Sequence, residues 1–447
     1  MEVTTLIQQN PWWKGKEYIE YDEDYRKWKD SKIKWVPETL GKITFEHYSL
    51  HFIFGPRQVG KTTLVKLLIK KLLDGGAMPE SIFYFKCDKL EDYKELDDII
   101  KTYFEYRNGK KVKSSFIFLD EITFPKEWFR TIKFYIDTGN FKNDVLILTG
   151  SLSMIAKGEI ETFPGRRGKG KDIILHPLSF REFVKVVSPE IYQKLPKFVR
   201  LEEKELSKKC AEAVLYVDEL NTLFSKYLKC GGLPLSVKSF LTEGKVSDEA
   251  KETYLSWLKG DLLKVKRSPE TARRIIKALL EKSPSTISWL NIAKEFELKS
   301  HRSVYQYINL LSELFVTKIL YFIDPHRVAV NFDKDKKIHF TDPFFFELFS
   351  YWCLTAPKEE SVIVENVVAS HLARKYEVFY WKNNTEIDAV VKEGEFLRGF
   401  EVKWSMRPET REKVIGKIKQ MTTLTKNDFK TRPFGVPVSA FLSCLEV

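Results

Sequence analysis

The chain has 447 residues, more than one hydrophobic core supports, so we expect roughly two to four domains. Lys and Arg number 74 against 62 Asp and Glu, and the formal charge of +12 favours an acidic partner such as nucleic acid, although the excess is spread along the chain. The five cysteines include no C-x-x-C pair, which excludes a disulfide framework and a Cys-based zinc site. No stretch has the length of apolar residues that a bilayer requires, and no signal-peptide pattern precedes the first acidic residues. We therefore expect a cytoplasmic protein without membrane contact, and the few Gln and many Lys and Glu are typical of a thermophile.

The first informative motif lies between the apolar run His51–Phe54 and a helical pattern that begins at Leu64. It reads GPRQVGKTT and comprises Gly55, Pro56, Arg57, Gln58, Val59, Gly60, Lys61, Thr62 and Thr63. The glycines let consecutive N–H groups turn toward a phosphate, Lys61 reaches the β- and γ-phosphates, and Thr62 offers a hydroxyl to Mg²⁺. The helix start adds its positive end. Strand, loop and helix together predict a site for ATP and Mg²⁺ in an α/β domain.

A second acidic motif follows another predicted strand. The apolar run Ser115–Leu119 ends in Asp120 and Glu121. A carboxylate pair at a strand end is what a Mg-ATP site needs opposite the phosphate loop: Asp120 for the metal, and Glu121 to polarise the attacking water. The alternative is that the two acids only cap the next helix.

The apolar run 145–148 closes on Thr149-Gly150-Ser151. Thr149 and Ser151 are small polar residues that can contact the γ-phosphate or the attacking water, and we count both among the candidate catalytic residues with Lys61 and Glu121. The competing interpretation is an ordinary turn at the end of a strand.

Two arginines stand in the basic loop Pro164–Lys169. An arginine delivered to the γ-phosphate across a subunit boundary accelerates hydrolysis, so Arg166 and Arg167 are candidate arginine fingers in a possible homo-oligomer. A surface loop that meets solvent or nucleic-acid phosphate is the alternative. The sequence does not decide between action in cis and in trans.

The middle of the chain is predicted to be helical from Ser188 to about Leu263, with charged faces that suggest no chemistry. Three further helical patterns and two strand-like runs follow, at residues 268–280, 287–296, 300–311, 315–322 and 336–340. Three helices and a hairpin are typical of a winged helix-turn-helix. Its third helix presents residues able to meet phosphates or base edges, namely His301, Arg302, Tyr305 and Gln306. The alternative is a packing module between domains.

The last region contains acids on predicted neighbouring elements. Glu365 lies in a helical pattern at 364–372, and the strands Glu386–Val391 and Phe400–Lys403 are predicted to form a hairpin through a turn region at 392–399. Alternation places Asp388 with Glu386, and Glu401 with Lys403, on common faces. Acids at one sheet edge can hold a divalent metal, and a lysine beside them can orient water. The alternative is an ion pair between Glu401 and Lys403.

The motifs GPRQVGKTT, FLDEI, LTGS, PGR and PLSFREF, together with NPWW near the start and CGGLP at Cys230–Pro234, resemble the archaeal-type AAA-superfamily P-loop ATPases with a C-terminal PD-(D/E)xK nuclease-like domain. Asp388 and the triplet Glu401-Val402-Lys403 match the nuclease signature, with Glu365 as the helix acid, while Ile387 replaces the signature proline. The resemblance implies an α/β AAA-type core, a helical lid, a winged helix and a restriction-endonuclease-like end. The corresponding boundaries are 1–44 for an N-terminal segment, 45–187 for the core, 188–264 for the lid, 265–345 for the winged helix and 346–447 for the nuclease-like domain.

These features predict a Mg-dependent ATP hydrolase that acts on or with DNA, with ATP and Mg²⁺ as cofactors and a C-terminal domain that binds DNA or metal. A second hypothesis is a signalling or defence switch controlled by ATP, in which the C-terminal domain binds a partner without cutting. A third is a nuclease gated by the ATPase, for which the resemblance supplies Glu365, Asp388, Glu401 and Lys403.

Overall fold

The computed structural model describes residues 3–150, 163–298, 300–405 and 415–447. The chain divides into two units, an N-terminal unit at Met1–His176 and a C-terminal unit at Pro177–Val447. The five predicted domains are a finer division than these two units, and they remain a prediction.

The N-terminal unit is built on a sheet of five parallel strands in the order β2-β3-β4-β1-β5. The strands are β1 Ser49–Phe54, β2 Ile82–Lys86, β3 Phe116–Asp120, β4 Val145–Thr149 and β5 Asp172–Ile174. All residues of β1 and β4 are buried, as expected for central strands covered on both faces. Since β4 lies between β1 and β3, its carboxyl end separates the phosphate loop from the acids after β3.

The helices of this unit are α1 Val3–Gln9, α2 Glu23–Lys29, α3 Lys61–Asp74, α4 Tyr93–Gly109 and α5 Trp128–Asp137. Short 3-10 helices lie at Pro11–Lys14, Lys16–Tyr21, Glu38–Lys42, Pro79–Ser81 and Cys87–Lys89. Side chains fix two of the helix starts: Asp22 accepts the N–H of Tyr25, and Asp92 accepts the N–H groups of Lys94 and Glu95. The apolar face of α3 is buried through Leu64, Val65 and Leu68, which holds the phosphate loop against the sheet.

The NPWW motif protects the free edge of the sheet. The carbonyl of Ile82 on the edge strand β2 accepts hydrogen bonds from the indole N–H groups of Trp12 and Trp13, both at 2.9 Å. The side-chain amide of Asn10 bonds both backbone groups of Tyr84, at 2.9 and 2.7 Å. The edge groups of a sheet would otherwise need water or another strand, so this segment completes the N-terminal unit.

The C-terminal unit begins with helices and continues with mixed structure. Its helices are α6 Phe180–Val187, α7 Pro189–Tyr192, α8 Glu203–Val214, α9 Val217–Cys230, α10 Pro234–Glu243, α11 Asp248–Lys264, α12 Pro269–Lys282, α13 Trp289–Glu295, α14 His301–Glu313, α15 Phe344–Cys353, α16 Glu360–Leu372 and α17 Val438–Cys444. A capping box formed by Ser179 and Glu182 starts α6. Within the predicted lid region 188–264, the described elements are all helical.

Two sheets complete this unit. Strands β6 Thr317–Leu320 and β9 Lys337–Phe340 form an antiparallel pair. The larger sheet has eight strands in the order β14-β15-β13-β12-β11-β10-β7-β8. Its strands are β7 Phe322–Asp324, β8 Ala329–Asn331, β10 Glu377–Lys382, β11 Glu386–Glu393, β12 Phe396–Lys403, β13 Ile418–Thr425, β14 Lys430–Thr431 and β15 Phe434–Pro437. Ile323, Ile387 and Val390 belong to the apolar core of this sheet.

Two details differ from the sequence prediction. The hairpin turn predicted at 392–399 is shorter, because Glu393 still pairs with Phe396 and the buried Leu397 keeps the alternation. The run predicted as one strand at 315–322 changes sheet at Tyr321, whose carbonyl accepts the N–H of Tyr380. As a result β7 and β8, from the predicted winged-helix region, belong to the same sheet as the strands that follow residue 345.

The CGGLP motif forms a packed turn between helices α9 and α10. The N–H of Gly232 donates to the buried carboxylate of Asp342 at 2.8 Å, and its carbonyl accepts the N–H of Leu178 at 2.9 Å. A Cβ at Gly232 would lie 2.1 Å from the carbonyl oxygen of Leu178. The glycine is therefore required by close backbone contact.

Candidate functional site

The phosphate loop follows β1 and leads into α3, as its sequence predicts. Gly55 has a φ of 156° and Gly60 a φ of 101°, in backbone regions that glycine adopts without strain. A Cβ at Gly55 would lie 2.4 Å from the carbonyl oxygen of Leu175. Gln58 also has a positive φ, of 59°, at the tip of the loop. This backbone conformation explains the glycine positions of the motif.

Lys61 is the first residue of α3 and is 5% exposed. Its ammonium donates to the carbonyl oxygens of Gly55 and Pro56 at 3.2 and 3.1 Å. The side chain therefore bends back over the loop in which a phosphate is expected, with its charge inside the loop rather than in solvent.

Asp120 is fully buried at the end of β3 and accepts hydrogen bonds from three hydroxyl groups. Thr62 donates to Oδ2 at 2.7 Å and Tyr84 to the same oxygen at 3.1 Å, while Thr149 donates to Oδ1. The structure thus joins the loop threonine, the strand-end acid and the threonine of β4. Carboxylate and hydroxyl oxygens are ligands that Mg²⁺ prefers, so Thr62 and Asp120 fit the predicted metal role.

Glu121 stands in a strained backbone conformation beside Asp120. Its φ is 54°, and its N–H donates to the hydroxyl of Thr149 at 3.0 Å. Within the described residues, no group donates a hydrogen bond to its buried Oε2. A buried carboxylate oxygen without a donor is costly, and such groups are concentrated at functional sites.

The third strand end of the predicted site is partly described. The N–H of Gly150 donates to the carbonyl of Ile53 at 3.3 Å, which fixes Thr149 beside the end of β1. Ser151 lies outside the described residues, so its predicted catalytic role stays a prediction.

Arg166 and Arg167 lie toward the opposite end of the sheet. The carbonyl of Arg167 accepts the N–H of Leu50 near the start of β1, about 13 Å of strand before the phosphate loop. Arg166 makes two hydrogen bonds to Asp137, at 2.7 and 3.0 Å, and Arg167 pairs with Asp172. The two guanidinium groups are thus held by acids of their own unit, away from the phosphate loop of the same chain.

A buried lysine connects the N-terminal segment to this site. Lys66, on α3, is 1% exposed and contacts Asp22 at 2.8 Å. Its ammonium lies 3.1 Å from the ring centroid of Tyr84, whose hydroxyl reaches Asp120. Burial lowers the pKa of Lys66, and the charge of Asp22 opposes that effect. A cavity of about 1050 Å³ borders Lys66 and Tyr84.

In the C-terminal unit, the acids predicted from the nuclease-like signature meet at one cavity of about 370 Å³. We call Glu365, Glu386, Asp388 and Glu401 the acidic cluster. Glu365 comes from α16, the next two from β11 and the last from β12. Lys403 lines the same cavity, so all four residues that the signature nominated are brought together.

The acidic cluster surrounds a lysine that the sequence analysis did not single out. Lys337 of β9 is 1% exposed, and its Nζ lies 2.7 Å from Glu365, 2.5 Å from Glu386 and 3.5 Å from Asp388. The N–H of Val402 donates to the other oxygen of Asp388 at 2.8 Å. The carboxylates therefore face a protein ammonium.

Lys403 pairs with Glu401 at 2.7 Å, which is the ion pair that the sequence left open as an alternative. The side chain of Lys403 is 42% exposed, so this pair lies at the rim of the cavity. Lys382 in turn contacts Glu386 at 2.9 Å. Three lysines thus face the four acids.

Burial and charge shift the proton affinities of these groups. Burial raises the pKa of Glu365 to about 7, with a further contribution from Asp388. Burial also raises the pKa of Asp388, against the effect of Lys337. Burial alone would lower the pKa of Lys337, but the carboxylates outweigh it and raise that pKa. Lys337 is consequently held as a cation.

Helix α14, the helix predicted to contact DNA, exposes the four side chains predicted for that contact. His301, Arg302, Tyr305 and Gln306 are all exposed and share one face of α14. Arg267 donates to Gln306 at 3.3 Å, and Tyr305 packs edge-on against Trp289. The arrangement leaves Arg302 and His301 accessible.

Three side chains at the candidate sites were not singled out by the sequence analysis: Tyr84, Lys66 and Lys337. Tyr84 lies 36 residues before Asp120, so local spacing does not connect them. A signal for Lys337 existed, because Lys337 and His339 occupy alternate, buried positions of a predicted strand. Charged residues at buried strand positions indicate a partner of opposite charge.

Comparisons with known proteins agree with the N-terminal site. Residues 47–184 match a family model described as an AAA domain, and residues 221–349 match one described as a domain of unknown function. An uncharacterized protein of Methanocaldococcus jannaschii is 30% identical over 192 residues, which are 42% of this chain and 39% of that protein. The match thus spans about two fifths of that relative's length.

Solved structures show only weak overall similarity. The ORC2 protein of Aeropyrum pernix gives a TM-score of 0.37 at 11% identity, with 68% of this chain and 88% of that chain covered. The Aeropyrum pernix ORC1 protein in complex with DNA gives 0.29 at 13% identity, with 76% and 96% covered. The Thermotoga maritima RuvB Holliday junction branch migration motor gives 0.26 at 13%, with 68% and 89% covered. Such scores are too low to assign a common overall fold.

The parallel sheet, the phosphate loop and the matched residues together define residues 47–184 as an AAA-type P-loop domain. The remaining parts of the predicted architecture stay predictions. Among the residues that the structure describes, none of the helices has both the length and the apolar character that a membrane crossing demands.

Proposed function

We propose that the N-terminal unit binds Mg-ATP and hydrolyses it. The observation that carries this proposal is the buried network of Thr62, Asp120 and Thr149, beside a glutamate whose Oε2 has no donor within the described residues. A network of this kind supplies oxygen ligands beside a general base.

Each side chain has a distinct role in this proposal. Lys61 leaves the loop carbonyls and binds the β- and γ-phosphates, and Glu121 accepts a proton from the attacking water. The hydroxyl of Thr149 accepts the backbone N–H of Glu121 and donates to the carboxylate of Asp120, and it thereby orients both residues. Asp120 and Thr62 would hold Mg²⁺, which would neutralise phosphate charge.

Two substitutions test this assignment. Lys61→Ala is expected to abolish ATP binding, whereas Glu121→Gln retains binding and lowers turnover by about 10²–10⁴-fold, the usual contribution of a general base. Matched controls are Lys70→Ala on the same helix and Glu127→Gln, both of which are solvent-accessible and paired with neighbours. Normal hydrolysis by Glu121→Gln would show that the base is elsewhere.

We also propose that Arg166 or Arg167 acts on a neighbouring copy. Their position toward the opposite end of the sheet supports action in trans. Mixing Lys61→Ala with the double variant Arg166→Ala/Arg167→Ala then restores turnover that neither shows alone. If the mixture stays inactive while the arginine variant alone is impaired, the trans role is excluded.

The proposed macromolecular partner is DNA. The net charge of +12 and the exposed face of α14 with Arg302 support this. Binding should weaken with salt, with a log–log slope of about −0.9 per phosphate contact. Arg302→Ala is expected to reduce that slope by about 1, unlike the control Arg200→Ala. A slope near zero would contradict the proposal.

The second candidate is an ATP-controlled switch whose C-terminal unit binds a partner without cutting. The ammonium of Lys337 within the acidic cluster favours it, because the carboxylates already have a counterion. If ATP turnover at low salt is unchanged by duplex, branched or single-stranded DNA, the result supports the switch. Stimulation of ATP turnover by DNA supports DNA as the partner.

A further inference from the structure

The residues of the acidic cluster, as the structure arranges them, do not fit the divalent metal that the nuclease-like signature implies. Among the described residues, no three His, Cys, Asp or Glu side chains form a ready metal-binding group. The carboxylates instead converge on the ammonium of Lys337, at distances from 2.5 to 3.5 Å.

We propose that Lys337 is the resident cation of this cluster and that a divalent metal binds there only when its ammonium is removed or displaced. A six-coordinate Mg²⁺ needs oxygen atoms at about 2.0–2.1 Å, in the same space that Nζ now occupies between the carboxylates. A second cation beside the first would be strongly repelled at such distances, since the site is buried. Lys337 therefore determines whether the cluster accepts a metal.

The backbone holds Lys337 in place. In β9 it pairs with Leu320 of β6, and the preceding residue, Lys336, exchanges two backbone hydrogen bonds with Ile287. Displacement of the ammonium must therefore come from side-chain rotation toward the cavity of about 370 Å³. Such a rotation exposes three carboxylates at once, which is the state that a metal would select.

Lysines at the rim are less suited to this role. Lys382 is 43% exposed, and its partner Glu386 also contacts Lys337, so Lys382 can move into solvent while Glu386 stays paired. Its removal should therefore change metal binding little. Lys403 is 42% exposed, but its partner Glu401 is buried, so Lys382 is the matched control for the central lysine.

The test is direct Mn²⁺ binding to the full chain without nucleotide, measured by electron paramagnetic resonance and calorimetry. The unaltered protein and Lys337→Arg are expected to bind Mn²⁺ weakly at this cluster. Lys337→Met should bind it about tenfold or more tightly, since an uncompensated group of carboxylates attracts a divalent ion. The gained binding should vanish in Lys337→Met/Asp388→Asn and be absent in Lys382→Met.

Two results would overturn the proposal: tight Mn²⁺ binding by the unaltered protein that is lost in Asp388→Asn, or no gain in Lys337→Met. If Lys337→Met is unstable, Mn²⁺ should raise its melting temperature and leave that of the unaltered protein unchanged; equal shifts again refute the idea. This inference concerns the C-terminal unit and does not depend on the proposed hydrolysis of ATP. ATP turnover of the unaltered protein tests the N-terminal site separately, so the two failures are distinguishable.

Discussion

The two units each contain buried acids, but they stabilise them differently. In the N-terminal unit, hydroxyl groups of Thr62, Tyr84 and Thr149 hold Asp120. In the C-terminal unit, the ammonium of Lys337 contacts Glu365, Glu386 and Asp388. Hydroxyl donors orient a carboxylate and leave its charge uncompensated, whereas an ammonium cancels part of that charge.

The difference separates two kinds of acidic site that look alike in sequence. Asp120 and Glu121 stand at the end of a predicted strand, whereas Glu386, Asp388 and Glu401 lie within predicted strands, and both sets contain acids suited to a metal. Hydroxyl donors leave Asp120 able to take a metal together with a nucleotide. The lysine-centred cluster is closer to a buried ion-pair network, whose members must stay paired to remain buried. The next three predictions test this contrast, beginning with the largest effect.

Removal of the central lysine should destabilise the C-terminal unit. Lys337→Met removes the cation shared by three carboxylates and leaves the buried Glu365 and Asp388 without it, which is expected to lower the opening free energy by about 3–5 kcal/mol. Hydrogen exchange of peptides from β9 and β11 measures this unit alone. Lys382→Met is the control, with an expected change within about 0.5 kcal/mol. Equal effects of the two substitutions would remove the distinction between centre and rim.

Asp342, a buried acid held by backbone N–H groups, should show the cost of burying a charged carboxylate, which Lys337 reduces in the acidic cluster. Burial raises the pKa of Asp342 to about 6, although N–H groups of Gly232 and Phe344 partly oppose this. The folded state then binds more protons than the unfolded state between about pH 4 and pH 6. Stability contributed by this group is therefore present at low pH and is lost as pH rises through 6.

The measurement compares Asp342→Asn with the unaltered protein by hydrogen exchange at pH 4 and pH 7.5, corrected for intrinsic rates. The variant should gain about 2–3 kcal/mol relative to the unaltered protein over that interval, because the amide never acquires the charge. The control Asp333→Asn changes an exposed carboxyl and should show no such trend. If the variant instead loses stability relative to the unaltered protein between pH 4 and pH 7.5, Asp342 is charged without penalty.

The smallest expected effect concerns the hydroxyl of Tyr84, a contact to Asp120 that the sequence analysis did not predict. Tyr84→Phe removes one hydrogen bond to Asp120, worth about 0.5–1.5 kcal/mol, so ATP turnover should fall roughly 2–12-fold. Tyr103→Phe is the control, since that buried hydroxyl donates to Ser115 instead. If both variants retain full turnover, Tyr84 does not position Asp120.

The sequence predicted that the motif residues of the N-terminal unit lie close together, because the motifs are local. Each motif consists of a strand and the residues that directly follow it, and parallel strands bring their carboxyl ends to one edge. Asp120 therefore accepts hydrogen bonds from both Thr62 and Thr149. Edge protection by Asn10 and Trp12 was not predictable, because those bonds span 74 and 70 residues.

The C-terminal unit was predicted less completely for the same reason. Strand alternation placed Glu386 and Asp388 on one face, and both contact Lys337. The lysine lies 51 residues before Asp388 and belongs to another sheet, so the spacing of acids gave no indication of it.

By itself, the sequence predicted the phosphate loop, the acids after β3, and the pairs Glu386 with Asp388 and Glu401 with Lys403 on common strand faces, since these depend on backbone chemistry and strand periodicity. The convergence of Glu365 with them was implied only by the resemblance to the nuclease signature. Only the tertiary structure decided which cation each acid meets. That choice depends on contacts between distant segments: hydroxyl groups hold Asp120, whereas a buried ammonium pairs with Glu365, Glu386 and Asp388.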